Sequence, residues 1–221
     1  RNLCMARSLH VPCGGVQMTS EERKELSELI YVCRKLREKN LVNATHGNIS
    51  VRLGDLMYIT PTGCDLESVS EEDLVAVDIK TACVRSAGKP SKEWEMHLLT
   101  YRERPDVGGI VHAHSPKSVA VGCFYEGEND DIVPCYTLTF GLFTKRLPMI
   151  GYYKAGSHEL AEHAAAVLKN NPAVLMAHHG LITAQKTVRN AYYRLEEIEE
   201  NCEIALAIGL KGRHCLDPER I

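Results

Sequence analysis

Gly108-Gly109-Ile110-Val111-His112-Ala113-His114-Ser115 is the stretch on which the reading of the chain turns. An apolar run leads into His-x-His. The run has the character of a buried strand, and residues i and i+2 of a strand face the same side. Both imidazoles then leave one edge of a packed core together, which is how two neutral nitrogens are held for one metal ion. Taken alone, the pair reads more readily as two histidines at a strand end that merely share a surface. What the remaining sequence adds decides between the two.

The chain has 221 residues, enough for one domain with a sizeable core. Its 44% hydrophobic and 25% charged content is that of a soluble globular protein. No apolar run reaches the length of a membrane span. A net charge of −3 does not supply the basic face a general nucleic-acid binder needs. Membrane and nucleic acid are therefore not expected partners, and an anionic substrate must be met by local positive groups. Nine cysteines are scattered without a Cys-x-x-Cys, which suggests neither a disulfide frame nor a thiolate zinc site. That usage fits a reducing, cytoplasmic compartment. Residues 1–17 lack the long apolar centre of a signal peptide. The expected division is an N-terminal extension over 1–18, disordered or not native, and one domain over 19–221.

Thr19-Ser20-Glu21-Glu22 opens a helix, with a hydroxyl at the cap and acids in the first turn. Leu26, Leu29, Ile30, Cys33 and Leu36 form its buried stripe, and Asn40 stops it. Asn43-Ala44-Thr45-His46-Gly47-Asn48-Ile49-Ser50 surrounds a glycine with small polar residues, as either a plain loop or an anion-binding turn. Ile49–Leu53 and Leu56–Thr60 read as a hairpin turning at Gly54-Asp55, ending in a second donor-rich turn, Pro61-Thr62-Gly63. A strand is expected over Asp73–Ile79. Pro90-Ser91-Lys92-Glu93-Trp94 then starts a helix, with Ser91 as its cap and Lys92 and the first N–H groups facing any anion placed there. Glu93 is either a surface acid that suits the helix dipole or a reacting group. His97 shares its helix face at i, i+4 and reads as a buried, hydrogen-bonded histidine. Pro116 starts a helix running to about Cys123. Ile132–Phe140 carries Tyr136, on spacing alone a packing residue. Ser157 caps a helix over Glu159–Lys169. Ala173–Ala177 is a buried strand that delivers His178-His179-Gly180, of which only one histidine can join a site. Val188–Ile208 is a long helix ended by Gly209, with Glu196, Glu197, Glu199 and Glu200 expected on a solvated face.

Histidines 112 and 114, one histidine of the 178–179 pair and the acid Glu93 make a set that suits Zn²⁺. With the motifs Thr45-His46-Gly47-Asn48-Ile49-Ser50-Val51-Arg52, Ile59-Thr60-Pro61-Thr62-Gly63, Pro90-Ser91-Lys92-Glu93-Trp94, Val111-His112-Ala113-His114 and His178-His179-Gly180-Leu181-Ile182, the chain resembles the class II aldolase/adducin family from about Ser20 to Gly209.

That resemblance implies an α/β, single-domain fold with a central, mainly antiparallel sheet flanked by helices. It implies one zinc per subunit on His112, His114 and His179, with Glu93 as catalytic acid/base and possible fourth ligand. Thr45, Gly47, Asn48, Thr62, Gly63 and Ser91 would surround a substrate phosphate, with Lys92 beside them. Tyr136 would donate a proton from a neighbouring subunit of a homotetramer whose sites lie between subunits. The implied activity is cleavage of a carbon–carbon bond in a phosphorylated ketose of the L-fuculose-1-phosphate kind, through a metal-bound enediolate, to dihydroxyacetone phosphate and an aldehyde. Epimerase members of the family generally carry Asp where this chain has Glu93, which favours a lyase. Lys92 stands where the aldolases usually have Ser, and Pro90-Ser91-Lys92-Glu93 is similar to the 3-oxo-tetronate 4-phosphate decarboxylase branch, which releases carbon dioxide instead of an aldehyde. A third reading, an adducin-like binding domain without catalysis, conflicts with the intact histidine set.

Overall fold

The computed structural model describes residues 18–210 and 214–221. The expected extension therefore lies, over 1–17, outside the described residues. Met18 already packs against the core. Helix α1 (Ser20–Glu38) begins at the expected cap. Thr19 Oγ1 accepts from the Glu22 amide at 3.2 Å, and Glu22 Oε2 accepts from the Thr19 amide at 2.8 Å. This reciprocal box is worth about 1 kcal/mol to a helix start. Leu26, Leu29, Ile30, Val32, Cys33 and Leu36 are its buried side chains, and Asn40 leaves the helix at φ 56°.

Strands β1 (Asn48–Leu53) and β2 (Leu56–Ile59) form the expected antiparallel hairpin. They join β3 (Val75–Asp78), β4 (Gly109–Ala113), β5 (Met149–Ile150), β6 (Ala173–Met176) and β7 (Gly180–Gln185) in one sheet of order β3-β2-β1-β4-β7-β6-β5. Only β5 and β6 run parallel. The His-x-His strand β4 sits at the centre of the sheet, between β1 and β7.

Helices cover both faces. Val111 and Ala113 of β4 point to the side packed by α1 and α6 (Val188–Ala207). Ile110 points to the other side, packed by α2 (Trp94–Glu103) and α5 (His158–Leu168). Two short helices, α3 (Pro116–Gly122) and α4 (Leu138–Phe143), lie on the first side. The seven described cysteines are free thiols. No helix among the described residues is long and apolar enough to cross a membrane.

Three expectations are corrected. Strand β7 is an additional element; it is buried almost throughout, so it shows no polar alternation to separate it from β6. Helix α2 starts at Trp94 with Glu93 in the cap position, because the Ser91 hydroxyl accepts from the Glu93 amide and its carbonyl from the Trp94 amide within a preceding turn. The acids of α6 are not all solvated. Glu199 is 8% exposed and accepts from the Lys117 amide (2.7 Å), the Ser118 amide (2.9 Å) and the Ser118 hydroxyl (2.6 Å), so it satisfies the open N-terminus of α3.

Candidate active site

Strand β4 carries His112 onto the face that meets α2, directly opposite Asn48 of β1. His112 is fully buried, and its Nδ1 lies 3.0 Å from the Leu181 carbonyl of β7. A carbonyl can only accept, so Nδ1 donates and Nε2 presents its lone pair inward. His114 follows the end of β4, with its Nε2 3.1 Å from His112 Nε2. The third histidine comes from the β6–β7 turn. His178 takes a left-handed conformation (φ 57°) and is exposed, which leaves His179 as the inward member of the pair. Glu93 closes the set from the start of α2, with Oε2 3.3 Å from His112 Nε2 and Oε1 3.0 Å from His179 Nε2. One ligand atom from each of Glu93, His112, His114 and His179 lies within 4.8 Å of the others.

The chemistry of this set calls for a cation. The bare Nε2 of His112 faces a carboxylate oxygen and a second imidazole nitrogen, while the other carboxylate oxygen, Glu93 Oε1, is buried against the ring nitrogen of His179. Acceptors that face each other in a buried place need positive charge between them. Three nitrogens and one carboxylate oxygen fit a metal ion of the zinc kind. Burial raises the Glu93 carboxyl, but the imidazoles of His112 and His179 outweigh it and hold that carboxyl well below the usual range. Burial, with His112 and His179 beside it, pushes His114 down to about 3, which keeps its ring neutral.

The set lies at one side of a cleft of about 240 Å³. Thr45, Gly47, Asn48, Thr62, Gly63, Ser91 and Lys92 all line it, as do Glu93, His114 and His179. The turns are tied together, since Pro61 bridges to Pro90 and the Thr62 amide donates to the Lys89 carbonyl at 3.1 Å. That bond occupies the Thr62 amide and leaves its hydroxyl for a ligand. Gly47 has φ 81°, and a Cβ there would stand 2.8 Å from the His112 carbonyl oxygen, so glycine lets the first turn close on β4. Lys92 is exposed and, among the described residues, has no carboxylate at ion-pair distance.

Asn48 and Tyr136 stand apart from the other residues expected around the phosphate and the reacting atoms. Asn48 is 3% exposed, and its carboxamide is committed to Glu93 and His97. Tyr136 does not line the cleft of its own chain. His97 is fully buried and bonded to Ser50 and Asn48, as a core histidine rather than a ligand. Three lining residues, His46, Pro61 and Ala155, had no role assigned from sequence. His46 stacks on His114 with ring centroids 4.9 Å apart, and its place inside the Thr45–Asn48 turn was the available signal. Ala155 gave none. A larger groove of about 750 Å³ runs along the acids of α6 and includes none of Glu93, His112, His114 and His179.

Comparison with known proteins agrees with this geometry. The family model for the class II aldolase and adducin N-terminal domain matches residues 27–206. The L-fuculose phosphate aldolase of Methanocaldococcus jannaschii is 33% identical over 179 residues, 81% of this chain and 94% of the relative. A solved L-fuculose 1-phosphate aldolase superposes with a TM-score of 0.82 at 32% identity, covering 94% of this chain and 95% of the other. YgbL of Klebsiella pneumoniae, a candidate aldolase/epimerase/decarboxylase, superposes with a TM-score of 0.81 at 26% identity over 90% and 94% of the two chains. With a metal-ready Glu/His₃ set in this fold, the chain belongs to the class II aldolase and adducin family.

Proposed function

We propose that this protein is a zinc-dependent lyase that cleaves a phosphorylated ketose of the L-fuculose-1-phosphate kind to dihydroxyacetone phosphate and an aldehyde. The carrying observation is the convergence of Glu93 with His112, His114 and His179 beside a cleft walled by Thr45, Gly47, Thr62, Gly63, Ser91 and Lys92. The relatives named L-fuculose phosphate aldolase support the substrate class.

His112, His114 and His179 would hold the ion, with Glu93 as a fourth donor that gives way to substrate. When bound, zinc polarises a ketone carbonyl as a Lewis acid. The hydroxyls of Thr45, Thr62 and Ser91 and the Lys92 ammonium bind the phosphate and orient the reacting carbons. Glu93 takes the proton of the hydroxyl next to the scissile bond. As that oxygen becomes the aldehyde carbonyl, the bonding pair stays with the three-carbon fragment. Glu93 then returns the proton to that carbon, which completes dihydroxyacetone phosphate. Tyr136, from an adjacent subunit of a homotetramer, donates its hydroxyl in a hydrogen bond to the oxygen that becomes the aldehyde carbonyl and keeps its own proton over the cycle, and the enzyme works in the cytoplasm.

A second reading is favoured by one observation, the unpaired Lys92 in the cleft. A 3-oxo-tetronate 4-phosphate carries a carboxylate as well as a phosphate, and Lys92 offers a charge to the second anion. Decarboxylation would also end in dihydroxyacetone phosphate. The neighbour named as an aldolase/epimerase/decarboxylase is consistent with either.

The test is a screen of ketose 1-phosphates against 3-oxo-tetronate 4-phosphates with dihydroxyacetone phosphate as the readout, on wild type and Lys92→Ser. The aldolase reading expects a loss shared by all phosphorylated substrates, about 1.5–3 kcal/mol for a charge-assisted contact. A loss confined to the 3-oxo acids selects the decarboxylase. Purified protein is expected to hold about one zinc per chain, as a three-histidine site does, and His112→Ala to lose it. Full occupancy in that variant refutes the metal assignment.

A further inference from the structure

We propose that His97, Ser50 and Tyr101 are positioning residues that act through the Asn48 carboxamide to fix the Glu93 carboxylate. The inference rests on the reading of Glu93 as the acid/base. Two periodicities bring these residues together. Glu93, His97 and Tyr101 follow one another at i, i+4 and i+8 on one stripe of α2 and its cap. Asn48 and Ser50 are i and i+2 on the face of β1 that this stripe covers. The contacts alternate between strand and helix. Asn48 Nδ2 is 3.0 Å from Glu93 Oε2. Asn48 Oδ1 is 2.6 Å from His97 Nε2, His97 Nδ1 is 2.7 Å from Ser50 Oγ, and Ser50 Oγ is 2.9 Å from the Tyr101 hydroxyl.

Only one set of donor directions satisfies this chain. An ionised Glu93 can only accept, so the Asn48 amide donates to it and Asn48 Oδ1 is left to accept. His97 Nε2 therefore carries the proton and Nδ1 is bare. Ser50 must donate to Nδ1, and Tyr101 must donate to Ser50. Every bond points its proton toward the carboxylate. Asn48 is 3% exposed, Ser50 and His97 are 0% and Tyr101 is 1%, so solvent competes for these bonds little, and only at the Asn48 end. A flip of the Asn48 amide would set its oxygen against the carboxylate. The network thus holds Glu93 Oε2 on the Asn48 side and leaves Oε1 toward His179, which sets the plane of the carboxylate over the histidines.

A core cluster with no link to the site would also be satisfied in this way, and the experiment separates the two. His97→Met removes both ring nitrogens; His97→Gln keeps an N–H for Asn48 Oδ1. Two measurements are made: Co²⁺ affinity from its visible absorption, and uptake of deuterium from D₂O into dihydroxyacetone phosphate. In that exchange Glu93 takes a proton from the hydroxymethyl carbon, whose electron pair the neighbouring carbonyl stabilises, and returns a deuteron. For His97→Met the expectation is a fall of roughly 10–100-fold in turnover or in Co²⁺ affinity, the usual effect of losing a partner that orients a ligand. KM for dihydroxyacetone phosphate is expected to stay unchanged, and His97→Gln to recover most of the loss. Wild-type turnover and Co²⁺ affinity in His97→Met overturn the proposal, as does His97→Gln being as impaired as His97→Met. If His97→Met does not fold, Ser50→Ala takes its place: a lower turnover at constant KM supports the proposal, and an unchanged one overturns it. Normal uptake in Glu93→Gln would instead remove the reading on which the proposal rests. An inactive Glu93→Gln beside a normal His97→Met removes the proposal alone. Should wild type show no uptake, Co²⁺ affinity decides by itself.

Discussion

Glu93 shows what a single residue gains from its neighbours. On a free helix cap it would be an ordinary acid; here three imidazoles surround it, and it is 11% exposed at its side chain. Glu93→Gln is expected to fold and bind phosphorylated ligands as before while turnover falls by roughly a hundredfold or more, the share of a general acid/base. Turnover close to wild type would assign that work elsewhere. His97 makes a second test at this scale. Burial, with His112 nearby, pushes it down to about 3 against an ordinary 6.5. Between those values the unfolded chain takes up a proton that the folded chain refuses, so stability falls as pH drops. The contribution is whole above about 6.5 and is lost toward 3. His114 behaves alike. Urea midpoints at pH 7.5 and 5.0 are expected to separate more in metal-free wild type than in His97→Gln; an equal separation would mean that His97 does not titrate this way.

At the scale of elements, termini decide what the sequence discloses. The Thr19 box, the Gly54-Asp55 turn and the Ser157 cap are local devices, and each reads correctly without tertiary knowledge. Strand β7 does not, because burial on both faces removes the alternation that marks a strand. Glu199 fails for the opposite reason, since its helix spacing is that of a solvated acid and its partner, the start of α3, lies some eighty residues earlier. Glu199→Gln is expected to destabilise the fold by about 1–3 kcal/mol, the range for a buried charged acceptor lost to its donors. Exposed Glu200→Gln, measured alongside by urea denaturation, is expected to stay within about 0.5 kcal/mol. Equal effects would mean that the Glu199 bonds add nothing. The site was legible to the same degree as its elements. His112 and His114 announce themselves by strand spacing. The choice of His179 over His178 needed the left-handed turn, and the arrival of Glu93 beside them needed long-range packing that spacing cannot encode; resemblance to a family supplied it.

At the scale of the whole molecule, the role proposed for Tyr136 reaches beyond one chain. Tyr136 lies off the cleft, and its hydroxyl is buried with no hydrogen-bond partner. Nearby on α4, Leu138, Leu142 and Phe143 are 58%, 47% and 54% exposed, an apolar surface of the kind that subunits bury. If Tyr136 hydrogen-bonds a substrate, that substrate sits on another chain. Tyr136→Phe and Glu93→Gln chains are each expected to be nearly inactive alone. Unfolded together and reassembled in equal amounts, they would form rings in which about one site in four takes an intact Glu93 from one chain and an intact Tyr136 from the next. Activity should rise toward that fraction of wild type. Mass measurement of the mixture shows whether hybrids have formed, so a mixture that contains hybrids and stays inactive refutes the shared site. A wild-type monomer with full activity refutes the assembly as well, because a ring that is not needed cannot be what delivers that hydrogen bond.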